Sequence, residues 1–248
     1  MKSEFDEKQF ESVYSDGVEN TYWSLSRNYI IRNSIKKNNL DKNKIIEIGC
    51  GRGIVVKYLR DRGIHCKGVE LSVCKPIHGI SDFIKTGMDA NDLPLEERSE
   101  FKSFMLLDVI EHIENPVEFL KNILDRYRNL TSIIIAVPAR QEIWSNYDEF
   151  YGHYRRYDLQ MTKDVIDKIG FEVIENRYFF HALFNSAKFV FHFNKTRNTQ
   201  IVPPKGFSKI LHKIIAGYFI LEYFLLPKHW KGSSIICVAH KKTKLINE

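Results

Sequence analysis

The sequence predicts an α/β fold, a doubly wound sheet with helices on both faces, and three observations predict it. From residue 44 to about 180, short apolar runs alternate with segments of helical length, the pattern of a parallel sheet covered on both sides. A glycine-rich turn, Glu47-Ile48-Gly49-Cys50-Gly51-Arg52-Gly53, leaves the first apolar run and opens the first helix of that region. Acids then stand where successive strands end, at Glu70, Asp89 and Asp108, the edge at which such sheets meet ligands.

Taken in order, residues 1–43 form a helical cap with aromatic residues at Tyr14, Tyr22, Trp23 and Tyr29, packed on the domain. The sheet domain covers 44–184 and 231–248. Its strands are Lys44–Ile48, His65–Glu70, a weaker one near Phe83–Thr86, Phe101–Leu107, Ser132–Val137 and Phe171–Tyr178. Helices fall near Ile54–Arg62, Pro116–Arg128 and Leu159–Ile169. Pro116 suits a first helical position, where an N–H has no partner to lose, and Gly170 suits the position after a helix end. A basic, aromatic, helical insertion occupies 185–230, and a last strand follows at Ser234–His240.

The net charge of +6 is unevenly placed. Residues 181–231 carry Lys188, Lys195, Arg197, Lys205, Lys209, Lys213, Lys228 and Lys231 against Glu222 alone, a net of +7, so the rest of the chain sums to −1. A solvated basic face and a surface for an anionic partner both fit that distribution. Cys50, Cys66, Cys74 and Cys237 are too scattered for a CxxC motif and read as thiols of a reducing compartment. The opening MKSEFDEKQF has no apolar stretch, so no signal peptide is expected and the expected location is the cytoplasm.

Gly49, Gly51 and Gly53 free the backbone of Cβ atoms at alternate positions, so it can turn sharply and lie against a ligand. The spacing is GxGxG, not the GxGxxG that seats a pyrophosphate. Glu47, two residues before the first glycine, suits a ligand with a cationic amine. Glu70 ends the second strand, where a carboxylate can accept both hydroxyls of a ribose. Asp89 follows the third strand, placed for an adenine amino group.

The ordered set EIGCGRG, GVELS, GMDANDLP, LLDVIEHIENP and a strand ending Val137-Pro138 resembles the class I, Rossmann-like methyltransferases. The resemblance covers residues 44 to about 180. It implies a seven-stranded sheet whose last strand is antiparallel and inserted beside Phe171–Tyr178. It implies S-adenosylmethionine as cofactor, with Glu47, Gly49, Gly51 and Gly53 on its methionine part, Glu70 on the ribose and Asp89 on the adenine. Asp108 is assigned to the cofactor and to catalysis.

The segments Glu19–Asn28, Trp144–Asp148 and Gly152–Tyr157 resemble a bacterial subgroup often associated with glycan and lipid-linked sugar biosynthesis. Methyl transfer to a hydroxyl needs in-line positioning and a place for the proton. The candidate catalytic groups are His153, His112 and Asp108. The set Asp108-x-x-Glu111-His112 with His153 also resembles the metal ligands of small-RNA 3′-end methyltransferases and a pattern in ubiquinone-pathway O-methyltransferases. A divalent metal on those four residues is therefore an alternative, less favoured than metal-free base catalysis. Arg155, Arg156, Tyr157 and Trp144 are candidate substrate contacts, the arginines through their affinity for phosphate or carboxylate. Ion pairs with Asp148, Glu149 or Asp158 are their other use.

The expected function is methylation of an oxygen on a sugar, polar small molecule or lipid-linked glycan. The alternatives are a metal-assisted nucleic-acid 2′-O-methyltransferase, with nucleic acid the less favoured partner, and an inactive cofactor-binding scaffold. Within the insertion, Ile210–Leu226 is nearly continuously apolar. An interfacial helix, a substrate lid, a subunit contact and a core helix are the readings open to it. The first would make the protein peripheral at the inner face of a membrane.

Overall fold

A computed structural model describes residues 7–193, 196 and 198–242; Lys195 and Arg197 lie outside the described residues. Two helices, α1 (Glu7–Val13) and α2 (Tyr22–Lys37), precede β1 (Ile45–Ile48). Then come α3 (Ile54–Arg60), β2 (Cys66–Glu70), β3 (Ile84–Thr86), α4 (Leu95–Ser99) and β4 (Ser103–Leu107). The chain continues through α5 (Pro116–Arg126), β5 (Ser132–Pro138), α6 (Asn146–Phe150), α7 (Leu159–Lys168) and β6 (Phe171–Phe179). It ends with α8 (His181–Phe193), α9 (Ser208–Leu225) and β7 (Ser234–Lys241). Among the described residues the strands form one seven-stranded sheet in the order β3-β2-β1-β4-β5-β7-β6. Strands β1 to β5 run parallel, while β7 pairs antiparallel with both β5 and β6. The expected architecture is the observed one.

Alternation along the strands sends neighbouring side chains into two cores. Ile46, Ile48, Phe104, Leu106, Ile133 and Ile135 point to the face covered by α5 and α7, where Leu120, Ile123, Val165 and Ile166 are buried. Ile45, Met105, Leu107, Ile134, Ala136 and Val238 point to the opposite face, against Ile31 and Ile35 of α2, Val56 and Leu59 of α3, and Phe219 and Tyr223 of α9. Helix starts follow their caps. Asn115 accepts from the Glu118 N–H ahead of Pro116, and Asp158 accepts from the Met161 N–H.

The segment before the last strand differs from the boundaries expected for it. Its first helix begins at His181, inside the sequence-derived sheet domain, and its second shares a core with α2 and α3. Buried Glu222, the acid of α9, accepts from the N–H groups of His181 (2.6 Å) and Ala182 (2.8 Å) and so caps α8. Buried Glu175, beside a β-bulge in β6, accepts from Lys37, from Asn38 at the end of α2 and from Tyr223 of α9. These bonds tie cap, sheet and insertion together.

The strand order reverses direction between β1 and β4. In open α/β sheets the crevice beyond the carboxyl ends of the strands at such a point is where ligands bind.

Candidate active site

The glycine turn opens that crevice. Gly49 donates to the Val69 carbonyl (2.8 Å), and Gly49, Gly51 and Gly53 all have positive φ (76°, 52° and 83°), a region that side chains with Cβ rarely enter. A Cβ on Gly49 would lie 2.8 Å from Val109, and one on Gly51 would lie 2.1 Å from the Tyr14 ring. Glu47 is buried beneath the turn, and its Oε2 has no hydrogen-bond partner. Burial raises its carboxyl to about 8; Arg27 opposes the shift, while Glu70 and Asp108 add to it. A buried carboxyl with one oxygen left without a partner, under a turn without Cβ atoms, fits a ligand that brings a positive charge.

Beyond the turn, a cavity of about 130 Å³ is lined by Tyr14, Gly49, Glu70, Met88, Asp89, Asp108, Val109 and His112, among others. Glu70 Oε2 accepts from the Gly51 N–H (2.8 Å) and Oε1 from the Ser72 N–H (2.9 Å). Asp89 Oδ1 accepts from the Asn91 N–H (2.8 Å) and caps a short 3-10 turn. Main-chain donors thus fix both carboxylates at the cavity edge. Of the residues expected to hold the methionine part, Gly49 lines the cavity, whereas Glu47, Gly51 and Gly53 do not; the Tyr14 ring covers Gly51 and Ile84 packs on Gly53.

The other wall comes from the end of β4. Asp108 has φ of 57°, an uncommon conformation for a non-glycine residue and one found at functional sites. Its carboxylate pairs with Arg27 of α2 at 2.5 Å, and that guanidinium stands 4.7 Å from the Trp23 ring centroid. Glu111 is fully buried and neither carboxylate oxygen is hydrogen-bonded. Burial, followed by the Asp108 charge, pushes its carboxyl well above the usual range. His112 reaches the cavity, and burial and then His153 push its imidazole down to about 3, so it is neutral at physiological pH.

His153 stands edge-on to His112, with ring centroids 4.7 Å apart, and does not line the cavity itself. Its Nδ1 lies 2.8 Å from Asp148 Oδ1. Burial raises the Asp148 carboxyl, but hydrogen bonds and charge from His153 and Arg156 outweigh it and hold the group below its ordinary value. An ionised Asp148 places the His153 proton on Nδ1 and leaves Nε2 as the accepting atom. Trp144 meets the far side of His153 at 6.5 Å. Ligand atoms of Glu111, His112 and His153 all lie within 4.8 Å of one another. Asp108, the fourth member of the expected metal set, is not in that group and is paired with Arg27 instead.

Two residues expected as substrate contacts are engaged within the protein. Arg156 is buried, donating to Asp148 (2.7 Å) and to the Ala139 carbonyl (3.1 Å). Tyr157 is also buried, and its hydroxyl donates to the Ile110 carbonyl (3.0 Å). Both brace the loop after β5, and the ion pair with Asp148 is the alternative the sequence offered. Arg155 donates to the Glu114 carbonyl (2.7 Å) at the surface.

Sequence reasoning missed Arg27 as the partner of Asp108, Asp148 as the anchor of His153, and the placement of Phe10 and Tyr14 on the cavity. Helix α1 is held over the site by bonds from Gln9 to the Phe150 carbonyl, between Ser12 and the Tyr151 hydroxyl (2.8 Å), and from Arg52 to the Tyr14 carbonyl (2.8 Å). Only the aromatic character of Tyr14 and Trp23 signalled any of this.

Comparisons with known proteins bear on the family and the fold. Residues 24–176 match a family model described as a methyltransferase domain. Two ubiquinone biosynthesis O-methyltransferases, from two strains of Rickettsia bellii, are each 27% identical over 120 residues, 46% of this chain and 50% of theirs. The chain thus spans about half the length of the curated relatives it matches. Among solved structures, the plantazolicin methyltransferase BpumL in complex with SAH is similar at a TM-score of 0.54 and 14% identity, covering 95% of this chain and 94% of that one. Magnesium protoporphyrin IX methyltransferase from Synechocystis PCC 6803 with bound SAH is similar at 0.53 and 12%, with the same coverage. At such identities the likeness is one of fold.

Proposed function

From the premise that this chain belongs to the methyltransferase-domain family, we propose that it transfers a methyl group from S-adenosylmethionine to a hydroxyl oxygen. The acceptor is a sugar or similar polar molecule, free or carried on a lipid. The observation that carries this reading is the two-walled cavity, with Glu70 and Asp89 on one side and Asp108 and His112 on the other.

When bound, S-adenosylmethionine supplies a methyl group activated by a sulfonium sulfur. Glu47 and the glycine turn would hold its amino-acid end, Glu70 would accept from the ribose hydroxyls and Asp89 from the adenine amine. Each carboxylate oxygen of Glu70 already accepts one N–H and keeps a second lone pair for a hydroxyl. On the other wall the acceptor hydroxyl approaches the methyl carbon. His112, which lines the cavity, would take the proton that the acceptor hydroxyl gives up on accepting the methyl group, and His153 beside it would hold that proton. Asp148 steadies the imidazolium formed at His153. The relatives named as O-methyltransferases support oxygen as the acceptor. The sugar rests on the likeness of the flanking segments to a glycan-associated subgroup.

A second reading is favoured by one observation, the unpartnered buried carboxylate of Glu111 beside two imidazoles. Glu111, His112 and His153 would hold a divalent ion there, and Asp148 bonded to His153 resembles the outer support such ligands receive. The ion would acidify the acceptor hydroxyl.

Calorimetry with S-adenosylmethionine and NAD tests the cofactor, with binding of the first alone expected. A turnover screen against sugar nucleotides, lipid-linked sugars and phenols tests the acceptor. Activity confined to phenols overturns the sugar. Loss of activity in a chelator, restored by magnesium or manganese, favours the second reading.

A further inference from the structure

Helix α9 has two apolar faces, and the fold uses one. Ala216, Phe219, Glu222 and Tyr223 are buried against the sheet and α2. The opposite side carries Phe207, Ile210, Ile214, Tyr218, Leu221 and Leu225, each half or more exposed. Their spacing of three and four residues puts them on a single stripe. At about 1.5 Å per residue the helix is roughly 27 Å long. Exposed apolar stripes of that extent mark interaction surfaces.

We propose that this stripe seats the protein on the surface of an anionic lipid bilayer. Charge selects the occupant. Lys205, Lys209, Lys213 and Lys228 are exposed along and beside the helix, and none has a carboxylate within ion-pair distance among the described residues. The acid of this segment, Glu222, is buried and committed to capping α8. The exposed face of α9 is therefore apolar at its centre, cationic at its margins and without an exposed acid of its own. A second copy meeting it across a two-fold axis would bring lysine against lysine, whereas anionic headgroups neutralise them. Trp230, half exposed beyond the helix end, is of the type that settles at headgroup depth. No helix among the described residues is long and apolar enough to cross a membrane, so α9 lies along the interface. The inference goes beyond the proposed reaction and holds whether or not the acceptor is a lipid.

The test is sedimentation of the full chain with vesicles of phosphatidylcholine alone, and of phosphatidylcholine mixed with phosphatidylglycerol. Wild type is expected to pellet with the mixed vesicles at low salt and to stay in solution with the neutral ones. Each lysine near an anionic surface contributes roughly a fivefold gain in partition, so the triple variant K205E/K209E/K213E should lose about a hundredfold or more. Ile214→Ser with Leu221→Ser, on the exposed stripe, should weaken binding in a way that salt does not explain. If the variants fail to fold, quenching of wild-type fluorescence by brominated phosphatidylglycerol, abolished in Trp230→Phe, gives the same answer. Equal pelleting of wild type and the triple variant, or none of wild type, overturns the proposal. A dimer in light scattering that Leu221→Ser dissociates overturns it also, by giving the stripe to a second copy.

Discussion

The two walls of the cavity are built differently. On the β1–β2–β3 side, carboxylates are fixed by main-chain N–H groups close in sequence: Glu70 by Gly51 and Ser72, Asp89 by Asn91. On the β4–β5 side, function rests on side chains brought together across the chain: Arg27 with Asp108, His112 with His153, and Arg156 with Asp148. A wall fixed by its own backbone tolerates loss of one side chain with local consequences. A wall of interlocked side chains transmits the loss to its neighbours.

The largest expected effect is on the interlocked wall. His153→Ala should lower turnover by about 10²–10⁴-fold, while the cofactor dissociation constant measured by calorimetry stays as it was. Undiminished turnover would take the histidine pair out of the reaction. Next comes Arg156→Ala, expected to lower stability by about 3–5 kcal/mol in denaturant titrations, because it leaves buried Asp148 short of a cation. Intact stability with a raised KM for the acceptor would instead return Arg156 to substrate binding and break the comparison.

On the backbone-fixed wall the effects are smaller. Glu70→Ala should weaken cofactor binding by about 1–3 kcal/mol, with the melting temperature changed far less than in the Arg156 variant. The smallest effect concerns pH. In the ligand-free protein the Glu47 carboxyl is raised from 4.5 to about 8, so the folded state holds one proton more than the unfolded state between those values. Its contribution to stability therefore falls as pH rises through that window. A cationic ligand favours the ionised form, so cofactor affinity should rise by about fivefold between pH 7 and 8, as the ionised fraction of Glu47 grows from about a tenth to a half. Calorimetry should show proton release on binding, and Glu47→Gln should abolish both. A flat profile in the wild type would mean that the amine finds its counter-charge elsewhere.

The same contrast explains what was legible in the sequence. Strand and helix positions emerge from apolar periodicity, and the backbone-fixed wall emerges from a handful of local residues. Gly49, Gly51 and Gly53 need positive φ, and Glu70 and Asp89 follow strand ends by short, regular spacing. The interlocked wall depends on which distant side chains meet, and spacing does not encode that. Arg27 reaches Asp108 across 81 positions, so its role is invisible until α2 is laid on the sheet. Arg156 and Tyr157 stand in a basic, aromatic loop that reads equally as a substrate contact and as a partner of nearby acids, and only the fold shows Arg156 turned inward onto Asp148. Helix α9 misled in the other way. Its composition averages two apolar faces into one continuous run, and only the packing of Phe219 and Tyr223 separates the buried face from the exposed one.

The contact between Tyr14 and Gly51 also sets the terms on which affinity is measured. With the ring lying on the turn, a ligand occupying that turn selects the fraction of molecules in which Tyr14 has swung clear. The observed dissociation constant is then the intrinsic one divided by that fraction. Because α1, which leads into Tyr14, is bonded to Phe150 and Tyr151, a movement of Tyr14 that displaced α1 would pull on the loop that carries Asp148 and His153. An acceptor that shifted this loop would then change cofactor affinity without touching the cofactor, and by reciprocity the cofactor would change acceptor affinity by the same factor.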